Sequence, residues 1–168
     1  MAAGDKAFWS DIANAINPPL CKLVQQIAGQ QTALVTVTDV VLTFGAGSEE
    51  IDTHNIHDTV TNNSRVTPNV AGYYRCHVRP ILAFNTTVSA IQSWVRKNGA
   101  AAERSGNAKP SATTGVNLAG QPFTTILPFN GTTDYVEAGL QFTASANQAT
   151  NNVAGSLSTF IVEYIRPL

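Results

Sequence analysis

Charged side chains are scarce in this sequence of 168 residues. Asp, Glu, Lys and Arg together make up 12% of the chain, about half of the roughly 25% that is usual in globular proteins. Long surface helices depend on many Glu and Lys side chains, so few of them are expected here. The formal net charge of −1 provides no basic field that could recruit nucleic acid.

Cysteine and long apolar runs are also rare. Two cysteines, Cys21 and Cys76, are too few for a disulfide framework, and whether they pair cannot be read from the sequence. No segment approaches the ~20 apolar residues that span a bilayer, and Met1–Ser10 lacks the apolar stretch of a signal peptide. We therefore expect a protein made in a cytoplasm, without a membrane partner.

Motifs of catalysis are missing from the sequence. There is no Gly-x-Ser-x-Gly elbow, and the pair Gly45 and Gly47 lacks the lysine and helix of a phosphate loop. Nothing assembles a nucleophile, a base and an oxyanion donor. We predict no catalytic residues, no cofactor and no enzyme activity.

Short strands separated by Gly, Asn and Pro turns fill the chain from Ala33 onwards. The clearest alternation runs from Tyr73 to Phe84. It places Tyr74, Cys76, Val78 and Leu82 on one face and Tyr73, Arg75, His77 and Arg79 on the other. Other strands are predicted over Ala33–Phe44, Val88–Lys97, Pro122–Phe129, Tyr135–Ser145 and Leu157–Ile165.

The turns between these strands indicate the architecture. Asn98-Gly99 is the strongest short turn signal in the chain. Seven or eight short strands without helical crossovers predict an all-β sandwich or jelly roll. We expect the last strand to lie in the middle of a sheet.

The first 40 residues have a different sequence pattern. Phe8, Ile12 and Ile16 recur at helical spacing, and a second helical stripe runs from Leu20 to Ile27. Helices this short are marginal alone, so they must dock onto their own domain, another copy or another protein. We divide the chain into a docking arm, 1–40, and a jelly-roll domain, 41–168. The predicted docking side chains are Phe8, Trp9, Ile12, Ile16, Leu20, Leu23, Val24 and Ile27.

Four motifs in order resemble the jelly rolls of the complement globular-head and tumour-necrosis-factor-like family. Asn69–Tyr74 resembles the family's Gly-x-Tyr strand entry, and Ser93–Gly99 resembles its Lys-Asn-Gly strand and turn. Asn130–Glu137 and Ser158–Val162 are similar to its last two strands. The resemblance covers about Phe44 to Ile165. It implies a jelly roll that assembles as a homotrimer around a three-fold axis.

Two further stretches resemble versions of this domain in tailed-phage virion proteins. These are Ile51–Thr67 and the lead-in Gly4–Asn14. The resemblance implies a position on the outside of a virus particle.

The residues favour a trimer independently, because large apolar side chains occur on both faces of several strands. One face fills the sandwich, and a neighbouring subunit can cover the other. The predicted trimer interface consists of Tyr73, Trp94, Ile161 and Ile165.

Two sets of polar residues are possible binding sites. Asp52, His54, His57 and Asp58 could ligate a metal, but a hydrogen-bonded polar loop is the favoured interpretation, so no metal is predicted. The row Arg75, His77 and Arg79 could bind a carboxylate, an anionic glycan or a neighbouring subunit, and a solvated or inter-subunit face is favoured.

These observations favour a structural virion protein. The first hypothesis is a trimeric capsid decoration (cement) protein that binds the major capsid protein on the outer capsid surface and stabilises it. The alternative is the receptor-binding knob of a phage tail or head fibre, with a host glycan bound by the loops Ala100–Gly120 and Asn147–Ser156. A signalling ligand of tumour-necrosis-factor type is disfavoured by the lack of an anchor or signal peptide.

Overall fold

The computed structural model describes residue 12 and residues 17–25, 31–83, 87–108, 117–150 and 156–168. Ile12 is helical, and thirteen strands lie in the other described ranges. Their bounds are β1 Leu20–Val24, β2 Val40–Val41, β3 Glu49–Asp52, β4 Arg65–Val66, β5 Gly72–Arg79, β6 Ile81–Ala83, β7 Val88–Lys97, β8 Glu103–Arg104, β9 Asn117–Ala119, β10 Phe123–Phe129, β11 Val136–Ala144, β12 Ala149–Thr150 and β13 Thr159–Arg166. Within these ranges, no helix has the length and hydropathy that crossing a membrane requires.

Two antiparallel sheets form a sandwich. The first, which we call the β13 sheet, has the order β10-β5-β13-β1-β3. The second, the β11 sheet, has the order β2-β11-β7-β8, and β4 also pairs with β11. A small third sheet has the order β12-β6-β9. The all-β sandwich is therefore confirmed, and β13 lies in mid-sheet as predicted.

The core forms where the inward faces of the two large sheets meet. The predicted alternation is confirmed for β5, where Tyr74, Cys76 and Val78 are all fully buried. It does not continue to Leu82 as predicted, because Ile81–Ala83 form β6 of the third sheet, in which Ile81 and Leu82 are both buried. On the opposite sheet the inward positions are Val136, Ala138, Leu140 and Phe142, all at most 1% exposed. Burial of such side chains stabilises the sandwich by roughly 25 cal/mol for each Å² removed from water.

The Gly-x-Tyr motif at the start of β5 has a packing reason. A Cβ at Gly72 would overlap the ring of Tyr164, so only glycine fits there. Tyr74 donates its hydroxyl proton to the carbonyl oxygen of Val70 at 2.8 Å. Its ring also meets Phe129 and Tyr164 edge to face. The motif thus joins the ends of β5, β10 and β13.

The predicted Asn98-Gly99 turn is confirmed between β7 and β8. Both residues have positive φ, 52° and 68°, the conformation that a tight antiparallel turn of this kind requires. The N–H of Ala100 donates to the carbonyl oxygen of Lys97 at 2.9 Å and closes the turn.

The second helix predicted for the arm is wrong for Leu20–Val24, which form β1. This strand pairs with both β13 and β3. Cys21 and Leu23 point into the core and are fully buried, while Leu20 and Lys22 face outward and are half-buried. Apolar residues at i, i+3 and i+4 fit a helix, but a run this short also fits strand alternation.

The predicted boundary at residue 40 consequently falls within the sandwich. Leu34 and Val40, as well as β1, belong to the same buried core as the residues after position 41. The part of the predicted arm from residue 17 to 25 and from 31 to 40 is therefore part of the jelly roll.

The strand predicted over Ala33–Phe44 is present only at Val40–Val41. Ala33 and Val37 have positive φ, 55° and 62°, which interrupts an extended backbone. Positive φ is unfavourable for a β-branched residue such as Val37, so the composition of this segment predicts a longer strand than the fold permits.

Candidate functional site

One face of the β13 sheet points away from the core, and we call it the open face. Cross-strand partners place Leu20, Glu163, Arg75 and Ile126 in one row across four strands. A second row crosses all five strands. It consists of Ile51, Lys22, Ile161, His77 and Thr124. Directly opposed side chains on one sheet face contact each other. Tyr73 of β5 and Ile165 of β13 complete the open face.

Apolar side chains from every strand of this sheet reach the open face. They are Leu20 of β1, Ile51 of β3, Tyr73 of β5, Ile126 of β10, and Ile161 and Ile165 of β13. Ile126 is 56% exposed, Ile51 39% and Ile165 38%. Several partly exposed apolar side chains on one face of a sheet are a candidate interaction site.

Four charged side chains of the open face form two ion pairs. Arg75 Nη1 lies 3.0 Å from Glu163 Oε2, and Lys22 Nζ lies 2.6 Å from Glu50 Oε2. Burying an ion pair that is already formed costs less than burying either charge alone. The open face can therefore be covered by a second surface without leaving any of these four charges buried and unpaired.

The predicted row Arg75, His77 and Arg79 is confirmed on one face of β5. His77 Nδ1 lies 2.8 Å from Thr124 Oγ1. Burial, and then the positive charge of Arg79, lower the pKa of His77 below its ordinary value. At neutral pH the row therefore carries two charges, one of which is paired with Glu163.

Three of the four predicted trimer residues lie together on the open face. They are Tyr73, Ile161 and Ile165, from the neighbouring strands β5 and β13. The guanidinium of Arg166 lies 4.3 Å from the centre of the Tyr73 ring and partly covers it. That these residues contact another subunit stays a prediction.

The prediction that the fourth residue, Trp94, lies in the trimer interface is wrong. It lies in β7 of the other sheet and is fully buried within one protomer. Its cross-strand partner is Gly139, whose lack of a side chain lets the indole pack against the backbone. The Arg96 guanidinium lies 5.0 Å from the ring centre. An indole covered in this way offers no apolar surface to a neighbouring subunit.

The predicted docking side chains of the arm lie in different environments. Phe8, Trp9, Ile16 and Ile27 lie outside the described residues, and Ile12 is helical and half-buried. Leu23 and Val24 are buried in the sandwich, so their predicted role in docking to another protein is wrong. Leu20 is half-buried on the open face.

The loop with Asp52, His54, His57 and Asp58 is organised by backbone hydrogen bonds. The Asp52 carboxylate accepts the N–H groups of His54, Ile56 and His57 at 2.9–3.2 Å. Asp58 accepts those of Val60 and Thr61, and these bonds lower its pKa. In the part of the chain that the structure describes, no three His, Cys, Asp or Glu side chains are placed to hold a metal. This arrangement agrees with the polar-loop interpretation.

Cys21 and Cys76 are both free and buried. They oppose Val162 from its two sides, so β13 separates them by two strand spacings, about 10 Å between Cα atoms. A disulfide requires less than about 7 Å. Burial raises the pKa of both thiols, that of Cys76 to about 12, which leaves them unreactive in the folded protein.

The sequence did not reveal a charged cluster on the outward face of the β11 sheet. Glu137 is only 4% exposed and accepts hydrogen bonds from Arg65 Nε at 3.3 Å and Arg96 Nε at 2.9 Å. Ser64 donates its hydroxyl to the same carboxylate at 3.1 Å. These partners are far apart in the chain and meet only through strand pairing, so no local pattern signals the cluster.

Comparison with known proteins informs the fold. No protein-family model and no curated protein matches the chain. Among solved structures, the chain is similar to a crystal structure of murine APRIL, with 12% identity and a TM-score of 0.52. The match covers 86% of this chain and 98% of that chain. Together with the strand order, this likeness confirms the tumour-necrosis-factor-like jelly roll.

Proposed function

We propose that this chain is a structural, non-enzymatic module that associates as a homotrimer through the open face. The observation that carries the proposal is the presence of outward apolar side chains on all five strands of the β13 sheet. A lone protomer leaves Ile126 and Ile51 in water. Covering them with a copy of the same surface gains hydrophobic free energy.

A copy of this chain is a suitable cover because four charged side chains of the open face are already paired with one another. Its two ion pairs, Arg75 with Glu163 and Lys22 with Glu50, are internal, so a second copy has to accommodate the charge of Arg79 but not these four charges. Interfaces between identical subunits are typically more apolar than the rest of the surface. The three-fold arrangement is supported by the family resemblance of the four sequence motifs.

The variant Ile126→Arg tests this proposal. Ile126 is 56% exposed and lies on the edge strand β10, so the sandwich should fold with arginine there. Three added charges in a desolvated contact should weaken association at least tenfold. Val60→Arg is the control, because Val60 is 82% exposed in the loop between β3 and β4. Equal association of both variants and the unsubstituted protein would refute the open face as the contact.

We further propose that the trimer is a capsid decoration protein on the outer surface of a virus particle, made in the host cytoplasm. This proposal is supported by the resemblance of Ile51–Thr67 and Gly4–Asn14 to tailed-phage virion proteins. The part of the arm before β1 contains Phe8, Trp9 and Ile12 as docking side chains. A trimer presents three such segments, and multivalent attachment makes release rare even if each contact is weak.

Deleting residues 1–16 tests this second proposal without removing β1. We expect the truncated protein to keep its assembly state and to lose binding to capsids that lack the decoration protein, measured by co-sedimentation. Undiminished capsid binding by the truncated trimer would contradict the proposal. Retention of the full chain on purified host cell wall, without capsid binding, would instead favour the receptor-binding knob.

A further inference from the structure

We propose that Arg65 and Arg96 form a clamp, on the outward face of the β11 sheet, for a carboxylate side chain of a partner protein. This clamp is separate from the open face. It therefore goes beyond the proposed trimer contact and does not depend on it.

Strand pairing brings the two guanidinium groups together. Glu137 of β11 is the cross-strand partner of Arg65 in β4 and also of Arg96 in β7. The two arginines thus approach the same carboxylate from opposite sides of one strand. Arg65 Nε binds Oε1 and Arg96 Nε binds Oε2, so each guanidinium has its own anchor.

Each guanidinium lies over an aromatic ring. The Arg65 guanidinium lies 4.0 Å from the centre of the Tyr135 ring, and that of Arg96 lies 5.0 Å from the Trp94 ring. Such contacts hold a cation over the ring face. Side chains that are already held in one arrangement lose little entropy when a ligand binds.

Both guanidinium groups keep unused donors. An arginine carries five N–H groups, and in the described part of the chain only the Nε atom of each has a hydrogen-bond partner. The side chains are 39% and 25% exposed, so solvent and ligands reach them. Paired N–H groups of a guanidinium match the two oxygens of a carboxylate.

The local charge indicates the kind of ligand. Two guanidinium groups face one buried carboxylate, so the cluster keeps one positive charge. The neighbouring pair of Arg104 and Asp39, with Nη2 and Oδ2 2.6 Å apart, is balanced. One acidic side chain would neutralise the cluster. A nucleic acid or a sulfated polysaccharide needs a broad basic field, which a chain of net charge −1 lacks.

A fluorescent hexaglutamate peptide is the probe that tests the clamp, with binding to the full-length protein measured by fluorescence anisotropy at low salt. Arg96→Gln and Arg65→Gln should each weaken binding about tenfold, the loss expected for a charge-assisted hydrogen bond. Arg104→Gln is the matched control, since it removes the same charge beside the clamp and leaves both clamp arginines and the open face unchanged. Arg96→Lys keeps the charge but not the paired donors, and it should also bind more weakly.

Specific binding at the clamp differs measurably from attraction to the general charge of the protein. An equal loss of binding in Arg104→Gln would show general attraction and would overturn the proposal. So would a wild-type protein that does not bind hexaglutamate, or one from which a sulfated oligosaccharide displaces the peptide at lower concentration. Arg96→Gln should weaken peptide binding by the same factor when it is introduced into Ile126→Arg protein, so failure of the trimer proposal leaves this result unaffected.

Discussion

Gly139 lies where the indole of Trp94 packs against the backbone of β11. A Cβ at this position would overlap both the Trp94 ring and the carbonyl oxygen of Val40. Gly139→Ala should therefore lower the free energy of unfolding by about 1–3 kcal/mol, the usual cost of overpacking. Gly106→Ala is the control, because a Cβ there meets nothing within 4 Å. Urea denaturation of both variants measures the difference, and equal midpoints would refute this packing.

His77 gives the open face a dependence on pH. Its pKa is lowered in the folded protein, through burial and then Arg79, from an ordinary value of 6.5. The unfolded chain therefore binds this proton more readily, so the free energy of unfolding should fall as the pH drops through and below 6.5. The loss is complete once the pH is below the folded pKa.

Thermal unfolding of the protein and of His77→Gln between pH 7.5 and 5 measures this contribution. The variant lacks the titrating group, so its unfolding temperature should decline less with acidification. Parallel declines would show that the environment of His77 does not disfavour its proton.

At the scale of single residues, the sequence predicted well which face of a strand a side chain lies on. It predicted poorly which side chains of other strands it contacts. Alternation alone placed Tyr74, Cys76 and Val78 inward, because a strand with one buried face must alternate. It did not place Trp94, since burial on the outward face depends on Gly139 of another strand. Contacts between strands distant in the chain leave no local signal.

The strand β1 is the element whose role differs most from expectation. It pairs with both β13 and β3, and Leu23 is fully buried in the core. Leu23→Ala should lower the free energy of unfolding by about 2–5 kcal/mol, as for other buried leucines. Leu20→Ala, on the half-buried open face, should cost much less in a dissociated protomer.

Urea denaturation at concentrations where the protein is dissociated distinguishes the two variants. A small effect of Leu23→Ala would mean that β1 is only loosely attached to the sheet, which would restore the idea of a detachable arm reaching beyond residue 20.

At the scale of elements, long alternating segments were predictable and short ones were not. Val88–Lys97 was predicted with the bounds that β7 has, because ten residues are enough to show the two-residue alternation of a strand clearly. β1 has five residues and fits either period. β2 is preceded by two residues with positive φ, Ala33 and Val37, a constraint that tertiary contacts impose rather than composition.

At the scale of the whole molecule, the sequence motifs predicted the jelly roll because its turns require glycines and its core packing requires buried tyrosines at particular positions. Gly72 and Tyr74 meet specific packing requirements, so they mark the fold even at low identity. Assembly is different. Apolar residues on both faces of the strands indicate that a second surface covers the outward face. Only the order of the strands in the sheets shows which of these residues share one surface.

Sedimentation of the full-length protein over a range of micromolar concentrations tests the central claim, association through the open face, most directly. We expect a species of three times 17.8 kDa, about 53 kDa, that Ile126→Arg reduces to protomers. A homogeneous 17.8 kDa species at these concentrations would contradict the claim, because the isoleucines of the open face would then remain in water.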